Sequence, residues 1–308
     1  MSNKRFVIDT DAGVDDAHAL MMALAQPDIQ VEAITTLTGN IEVQQVNRNV
    51  FTVLDVMQRD DIPVYQGADR PLVRAWRWET EAFHGSDGLG DWPQRPPSSR
   101  RVEPEHAVAT LIRLANTYPG ELNLVALGPL TNLALAVRLD PDLPKKIRRL
   151  VFMGGAVTAR GNTAIPAAEF NIYCDPEAAH IVLDAFSGAA MISWEVTLEH
   201  PLPWEWYQEL LKLPGPKAQF FKATNERILA GQSTYLLPDP LAMAVALCPE
   251  IVLQSDHHRV MVELHGTLTR GQTVIDYANK DRLPQNVEVI RRIDIEKIYQ
   301  LFRQMLTP

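Results

Sequence analysis

Four aspartates within the first sixteen residues form the part of the sequence best suited to chemistry. They are Asp9, Asp11, Asp15 and Asp16, with Gly13 between the two pairs. Carboxylates this close together repel one another and raise one another's pKa. A hard cation removes that repulsion, and sites made only of oxygen ligands suit Ca²⁺ or Mg²⁺. The alternative is that one or two of these carboxylates cap a helix and complement its dipole.

The sequence around the aspartates predicts that they lie between a strand and a helix. The apolar run at residues 6–8 is typical of a buried strand. Gly13 permits a tight turn after it. Apolar residues then recur at helical spacing, at Ala17, Leu20, Met21 and Leu24.

Strand and helix patterns alternate along most of the chain. Further strands are predicted at residues 30–37, 62–65, 122–127, 150–153 and 190–193. This order predicts an α/β fold with an open, mostly parallel, Rossmann-like sheet flanked by helices. Two late strands, at residues 259–264 and 287–291, alternate in a way that fits antiparallel pairing.

Ligands of parallel sheets bind beyond the carboxyl ends of the strands, and several other polar residues follow such ends. Asn40 follows the second strand, whereas Asn162, Glu169 and Asn171 follow the strand at residues 150–153. These three could also be ordinary loop residues. Asp239 begins an apolar helix, where it is either a site residue or an N-cap followed by proline.

The 308 residues are 46% hydrophobic and 22% charged, which fits one domain over residues 1–308. Residues 68–104 interrupt the pattern and predict an inserted lid, or alternatively a disordered insertion. Their aromatic residues argue against disorder, since disordered segments are poor in them. The tryptophans concerned are Trp76, Trp78 and Trp92.

Charge and cysteine content restrict the partners and the compartment. A net charge of −9 without a basic stripe disfavours nucleic acid. No apolar run is long enough to span a membrane, and no signal-peptide pattern is present. Two cysteines, Cys174 and Cys248, fit a reducing compartment, so we expect a cytoplasmic protein.

The order of these motifs resembles that of the nucleoside hydrolases over nearly the whole chain. Residues 9–16 match that family's opening motif Asp-x-Asp-Pro-Gly-x-Asp-Asp, with Ala12 in place of the proline. Six further matches follow in the family's order, at residues 38–40, 84–90, 127–132, 153–155, 162–171 and 239–240.

The resemblance implies the nucleoside hydrolase fold and hydrolysis of the N-glycosidic bond of ribonucleosides with a bound Ca²⁺. It assigns the metal to Asp11, Asp16, Asp239 and the Leu127 carbonyl, and it makes Asp11 the general base for water. It also implies a homodimer or homotetramer. Asp9 is expected to hold the cluster in place.

The resemblance assigns the substrate to a further group of residues around the same rim. Phe170 is expected to stack on the base, although an aromatic residue there is as often mere packing. The expected substrate-binding residues are Asp15, Asn40, Met153, Asn162, Glu169, Phe170, Asn171 and Asp239.

The sequence departs from the family at Pro238, where many members have the histidine that protonates the leaving base. His84, on the inserted segment, is therefore predicted to assist departure of the base. Tyr235 and the tryptophan residues are the other candidates for this role. Two other functions stay open. One is a nucleoside-binding protein without catalysis. The other is a Mg²⁺-dependent phosphatase with Asp9 as nucleophile, although Gly13 does not fit that motif and no suitable lysine is found.

Overall fold

The computed structural model describes residues 4–75, 81–93, 95–279 and 282–307. Within these ranges one sheet of nine strands forms, in the order β3-β2-β1-β4-β5-β6-β9-β7-β8. The strands are β1 (Lys4–Thr10), β2 (Ile29–Thr36), β3 (Val64–Gln66), β4 (Leu122–Ala126), β5 (Ile147–Met153), β6 (Ala189–Ile192), β7 (Val252–Val262), β8 (Thr273–Asp276) and β9 (Val287–Ile293).

Helices cover both faces of this sheet. They are α1 (Val14–Leu24), α2 (Val43–Val56), α3 (Glu81–His84), α4 (Ala107–Thr117), α5 (Thr131–Leu139), α6 (Leu143–Lys146), α7 (Phe170–Cys174), α8 (Pro176–Ala185), α9 (Trp194–Glu199), α10 (Trp204–Leu210), α11 (Pro216–Ile228), α12 (Pro238–Leu247) and α13 (Ile295–Leu306).

The pairing of the strands confirms the predicted mostly parallel α/β fold. Strands β1 to β6 and β9 pair in parallel, whereas β7 pairs antiparallel with both β9 and β8. The apolar residues of β1 are buried because helices lie on both faces of a parallel sheet. The sequence did not predict β8, α3, α6, α7, α8 or α9.

Two hydrophobic cores result, one on each face of the sheet. Helices α1, α2, α11, α12 and α13 enclose the first core, and α4, α5 and α8 enclose the second. Almost every side chain of α1 and α12 is buried, and these two helices pack against each other. Their amino termini therefore meet beyond the end of β1, which is where the acidic residues lie.

The inserted segment predicted at residues 68–104 returns to the edge of the sheet. The Glu103 amide donates a 2.8 Å hydrogen bond to the Val64 carbonyl in β3. Trp92 is partly buried and packs edge-on against Phe220 of α11, with ring centroids 5.6 Å apart. These contacts attach the segment to the domain, and its movement as a lid stays a prediction.

Two of the tryptophans on which that prediction rests, Trp76 and Trp78, lie outside the described residues. Helix α12, which contains Asp239, does not begin where the N-cap alternative for Asp239 placed it. It begins at Pro238 with Leu237 in the cap position, so Asp239 lies in the first turn and is not the N-cap.

Candidate active site

A cavity of about 400 Å³ opens beyond the carboxyl ends of β1, β4 and β5. This volume is within the range of small-molecule sites. The residues predicted from the sequence to bind substrate all line it, together with His84 and Leu127: Asp15, Asn40, Met153, Asn162, Glu169, Phe170, Asn171 and Asp239. Among the described residues of the lining, none is a lysine or an arginine.

Carboxylates meet at the floor of the cavity, where α1 and α12 begin. Asp15, Asp16 and Asp239 each place one carboxylate oxygen within 4.8 Å of an oxygen of the other two. Asp16 and Asp11 both affect the pKa of Asp239 through their charge, so Asp11 belongs to the same group. The structure thus brings together the predicted metal carboxylates and adds Asp15 to them.

Asp11 is held in a narrow space beside two glycines. Its Oδ2 accepts a 2.7 Å hydrogen bond from the Asn40 amide. A Cβ at Gly39 would lie 2.1 Å from Oδ2, and one at Gly128 would lie 2.8 Å from Oδ1. Only glycine therefore fits at these two positions while Asp11 keeps its place. Oδ1 is buried and has no hydrogen-bond partner among the described residues.

Asp16 both caps α1 and belongs to the acidic group. Its Oδ2 accepts a 2.8 Å hydrogen bond from the Gly13 amide at the N-cap. Its Oδ1 accepts one of 2.5 Å from the Thr10 hydroxyl. The capping alternative is therefore correct for Asp16, and it does not exclude a role in metal binding.

Burial of so many carboxylates raises their pKa values. Burial, followed by the charge of Asp16, raises the pKa of Asp11 and of Asp239 well above the ordinary value. The same two causes raise the pKa of Asp15 to about 7. Burial raises the pKa of Glu169 to about 7 as well, although backbone hydrogen bonds oppose it. In the absence of a cation, this floor therefore favours protonated carboxyl groups.

Asp9, like Asp11 and Asp16, is not among the described residues that line the cavity. Its Oδ1 accepts hydrogen bonds of 2.6 Å from the Thr35 hydroxyl and 2.8 Å from the Asn132 side chain. Burial raises the pKa of Asp9 to about 7. These two hydrogen bonds anchor Asp9 to β2 and α5, as the expected supporting role requires, and that role stays a prediction.

Glu169 and Asn171 form the opposite side of the cavity. Glu169 caps α7 and accepts hydrogen bonds from the Gly155 and Asn171 amides, at 2.9 and 3.0 Å. The Asn171 side chain donates to the Leu127 carbonyl at 2.6 Å and to the Met153 carbonyl at 3.1 Å. With both amide hydrogens donated, Asn171 offers a ligand its carbonyl oxygen, which suits a hydroxyl donor.

His84 is almost fully buried above the start of α1. Its Nδ1 accepts a 3.2 Å hydrogen bond from the Val14 amide and lies 3.8 Å from Asp15 Oδ1. Burial lowers the pKa of His84 to about 4, although the charge of Asp16 opposes this. The neutral ring therefore carries its proton on Nε2, which can donate a hydrogen bond.

The sequence reasoning missed one polar residue in the lining, His18, and named its partner Tyr235 only as a possible replacement for the missing proton donor. His18 and Tyr235 both line the cavity and form a 2.8 Å hydrogen bond. The sequence could have indicated His18, because it follows Asp15 by three residues on a predicted helix and therefore lies on the same face of that helix.

The model of one protein family matches residues 6–300, and its description is inosine-uridine preferring nucleoside hydrolase. The chain belongs to this family. As a nucleoside hydrolase it is an N-glycosidase acting on ribonucleosides, and the fold and enzyme class expected from the sequence are confirmed.

Other nucleoside hydrolases match the chain over nearly its full length. An inosine-uridine preferring nucleoside hydrolase of Leishmania major is 33% identical over 97% of this chain and 96% of that protein. A pyrimidine-specific ribonucleoside hydrolase of Salmonella paratyphi B is 36% identical over 97% of each. The solved structure of an inosine-guanosine nucleoside hydrolase superposes with a TM-score of 0.93 at 36% identity, covering 99% of this chain and 98% of that one.

Membership of this family disfavours the two other functions left open by the sequence, which are nucleoside binding without catalysis and a Mg²⁺-dependent phosphatase. The family and the relatives described above are named as hydrolases of nucleosides, which is neither phosphatase activity nor binding without catalysis. No helix within the described ranges is both long and apolar enough to cross a bilayer. The homodimeric or homotetrameric state and the cytoplasmic location stay predictions.

Proposed function

We propose that this nucleoside hydrolase uses Ca²⁺ and that Asp11 activates the attacking water. The proposal rests on the negative charge of the buried carboxylates at the floor of the cavity, which no lysine or arginine in the described lining balances. Asp11 Oδ1 and Asp15 Oδ1 are both buried without a hydrogen-bond partner among the described residues. Buried carboxylates that lack a cationic side chain are stabilised by a metal ion.

The donor set fits Ca²⁺. Asp11, Asp16, Asp239 and the Leu127 carbonyl would hold it as expected from the resemblance, and Asp15 is close enough to take part. All these ligands are oxygen atoms, which excludes a preference for a soft metal. Ca²⁺ accepts six to eight such ligands in flexible geometry, whereas Mg²⁺ demands a strict octahedron and retains several waters. When bound, the ion supplies positive charge that orients hydroxyl groups and eases deprotonation of water.

Asp11 would take the proton from the attacking water. Its Oδ2 is held by the Asn40 amide, so Oδ1 is the atom that is free to accept a proton. A nearby positive charge favours the ionised form of Asp11, which a base requires. Attack by water would proceed on the face of the sugar opposite to the base, through an oxocarbenium-like transition state.

Residues around the ribose would bind its hydroxyls and stabilise the positive charge that develops on the ring. Asn171 offers its carbonyl oxygen, and Asp15 and Glu169 offer carboxylate oxygens in the same lining. Buried acceptors of this kind are left unpaired by a sugar that lacks a hydroxyl, so the site would discriminate strongly against deoxyribose. The anionic oxygens lower the energy of the oxocarbenium ion because they are fixed before it forms.

The proposed substrate class includes purine and pyrimidine ribonucleosides. The names of the relatives differ on this point, since one is described as pyrimidine-specific and another as inosine-guanosine. Proline at position 238 cannot donate a proton to the departing base. His84, with its proton on Nε2, is the candidate donor, and Phe170 is a candidate stacking partner for the base.

Incubation of the purified protein with inosine and with uridine, followed by assay of free ribose, tests the proposed activity. Elemental analysis of protein purified without chelator tests the metal and is expected to find one Ca²⁺ per chain. Asp239→Ala should weaken the binding of both metal and ribose. The finding of zinc, or turnover that survives complete removal of metal, would contradict the proposal.

A further inference from the structure

A chain of hydrogen bonds inside the first core ends at the wall of the cavity. His18 is fully buried, and its two ring nitrogens contact Tyr235 Oη at 2.8 Å and Thr224 Oγ1 at 3.1 Å. Thr224 Oγ1 in turn lies 3.0 Å from the Phe220 carbonyl in α11. Three side chains from α1, α11 and the loop before α12 thus form one connected network.

The Phe220 carbonyl, at the end of the network farthest from Tyr235, determines which group donates and which accepts in every hydrogen bond. The Phe220 carbonyl can only accept, so the Thr224 hydroxyl donates to it. Thr224 Oγ1 then accepts from His18 Nε2–H, which leaves His18 Nδ1 without a proton. His18 Nδ1 therefore accepts from the Tyr235 hydroxyl. The single proton of Tyr235 is directed at His18, and only the lone pairs of its oxygen remain for a ligand.

The surroundings keep Tyr235 in this orientation. Its ring packs against Tyr207, Phe221 and Phe302, with centroids 5.0, 6.0 and 6.2 Å away. The hydroxyl faces His18 of α1, and Tyr235 is one of the residues that line the cavity. The fully buried Asn225 side chain lies beside this hydroxyl and can donate to one lone pair of its oxygen, which leaves the other lone pair for a ligand.

We propose that Tyr235 is a specificity residue that accepts a hydrogen bond from an N–H group of the nucleobase. The proposal rests on the ribonucleoside hydrolysis described above and adds a rule for the base. Bases with an N–H on the ring or on an exocyclic nitrogen satisfy the Tyr235 oxygen. A base without any N–H leaves the remaining lone pair of that buried oxygen without a donor, which costs binding energy.

Inosine and purine riboside form the probe pair, because their sugars are identical and the base of purine riboside carries no N–H. Tyr235→Phe should lower kcat/KM for inosine roughly tenfold, the effect of one lost hydrogen bond. It should change kcat/KM for purine riboside by less than about twofold. Tyr207→Phe is the matched control, since it removes another buried hydroxyl from the same aromatic cluster, and it should change neither value.

A second pair of variants tests the direction of the network. Thr224→Val removes the acceptor for His18 Nε2–H, so the ring proton moves to Nδ1 and is donated to Tyr235. The Tyr235 hydroxyl then points its own proton into the cavity. Thr224→Val should therefore reduce the preference for inosine over purine riboside, and Thr224→Ser, which keeps the hydroxyl, should retain it.

Equal losses on both substrates with Tyr235→Phe, or no loss on inosine, would overturn the proposal. Calorimetric binding of the two nucleosides to the same variants provides a readout that does not need turnover. If the wild-type protein released no ribose, the proposed function would fail. The ratio of the two Kd values in the wild type and in Tyr235→Phe would still decide the role of Tyr235.

Discussion

The side-chain amide of Asn132 donates a 2.8 Å hydrogen bond to Asp9 Oδ1 and thereby attaches the first aspartate of the cluster to the neighbouring helix. The same amide donates to the Thr36 carbonyl at 3.1 Å, and its oxygen accepts from the Ala68 amide at 2.9 Å. One asparagine in α5 therefore ties together β1, β2 and the beginning of the inserted segment. The bond supports the floor of the site without entering the cavity.

Asn132→Ala should therefore reduce stability and leave the chemistry largely intact. Loss of three buried hydrogen bonds should lower the free energy of unfolding by about 2 to 4 kcal/mol. Urea unfolding measures this, and Asn116→Ala on the exposed side of α4 is the control, with an expected change within about 0.5 kcal/mol. With saturating Ca²⁺, kcat should stay within about tenfold of wild type. Abolished turnover with unchanged stability would show that Asn132 acts in catalysis.

Ala12 adopts a backbone conformation that proline cannot take, although proline is the residue usual in the family motif. Its φ is 33°, and its amide donates a 3.1 Å hydrogen bond to Thr10 Oγ1. Proline fixes φ near −65° and has no N–H. Ala12→Pro should thus cost about 1 to 3 kcal/mol and weaken the affinity for Ca²⁺.

Chemical unfolding with and without Ca²⁺ checks this prediction for Ala12→Pro. Ala12→Gly is the matched control, because glycine accepts a positive φ and keeps the N–H. It should be at least as stable as wild type. A proline variant as stable as wild type, with the same Ca²⁺ affinity, would show that the turn after β1 adapts freely.

The general location of the site could be predicted from sequence because it follows from strand order. Asp11, Asn40 and Glu169 come after the ends of parallel strands, and such ends meet at one edge of the sheet. Asp239 could be included because an aspartate at the start of an apolar helix is a recognisable pattern. The remaining site residues were predicted from the motifs that the chain shares with the nucleoside hydrolases.

Contacts between distant buried polar residues could not be predicted in this way. Asn132 bonds to Asp9, and Tyr235 bonds to His18, across 123 and 217 positions respectively. No periodicity encodes such pairs, since they depend on how α5 packs against β1 and how the loop before α12 packs against α1. The start of α12 at Pro238 was missed for a local reason, because Asp-Pro is also a common N-cap and first-turn pair.

His84 is predicted to assist departure of the base through its Nε2–H. His84→Ala should cut inosine hydrolysis by roughly ten- to a thousandfold, the usual range for general acid catalysis. A nitrophenyl riboside should be nearly unaffected, because nitrophenolate leaves without a proton. Steady-state kinetics on both substrates measure the difference.

His106→Ala is the matched control for His84. His106 Nδ1 likewise accepts a hydrogen bond from a helix-terminal amide, that of Val108 at 3.2 Å, but it is exposed and lies outside the catalytic cavity. It should leave both rates unchanged. If His84→Ala slowed both substrates equally, His84 would position the ribose or the loop and would not act on the leaving group.

The buried acids predict an unusual dependence of stability on pH in the metal-free protein. The pKa values of Asp9, Asp15 and Glu169 are about 7 when folded, against ordinary values of 3.8, 3.8 and 4.5. These three acids therefore bind more protons in the folded state between these limits. Burial lowers the pKa values of His18 and His84 to about 3 and 4, so these two histidines act in the opposite direction below pH 6.5. The acids outnumber the histidines, so stability should fall as pH rises through 7.

Thermal unfolding in chelator should accordingly show a melting temperature several degrees lower at pH 8 than at pH 5.5. Ca²⁺ should reduce or reverse the difference, because it stabilises the ionised carboxylates and binds better when they are deprotonated. A metal-free protein whose stability rose steadily from pH 5.5 to pH 8 would contradict the raised pKa values. An unchanged profile with Ca²⁺ would argue against a metal at this site.

The most direct test of the account is the rate of ribose release from inosine as Ca²⁺ is titrated into metal-depleted protein, with wild type and Asp11→Asn side by side. We expect the wild type to be inactive without metal and to regain full activity at one Ca²⁺ per chain. Asp11→Asn should remain slower by several orders of magnitude even at saturating Ca²⁺, because it lacks the base. Wild-type activity independent of Ca²⁺, or near-normal turnover by Asp11→Asn, would contradict the proposed mechanism.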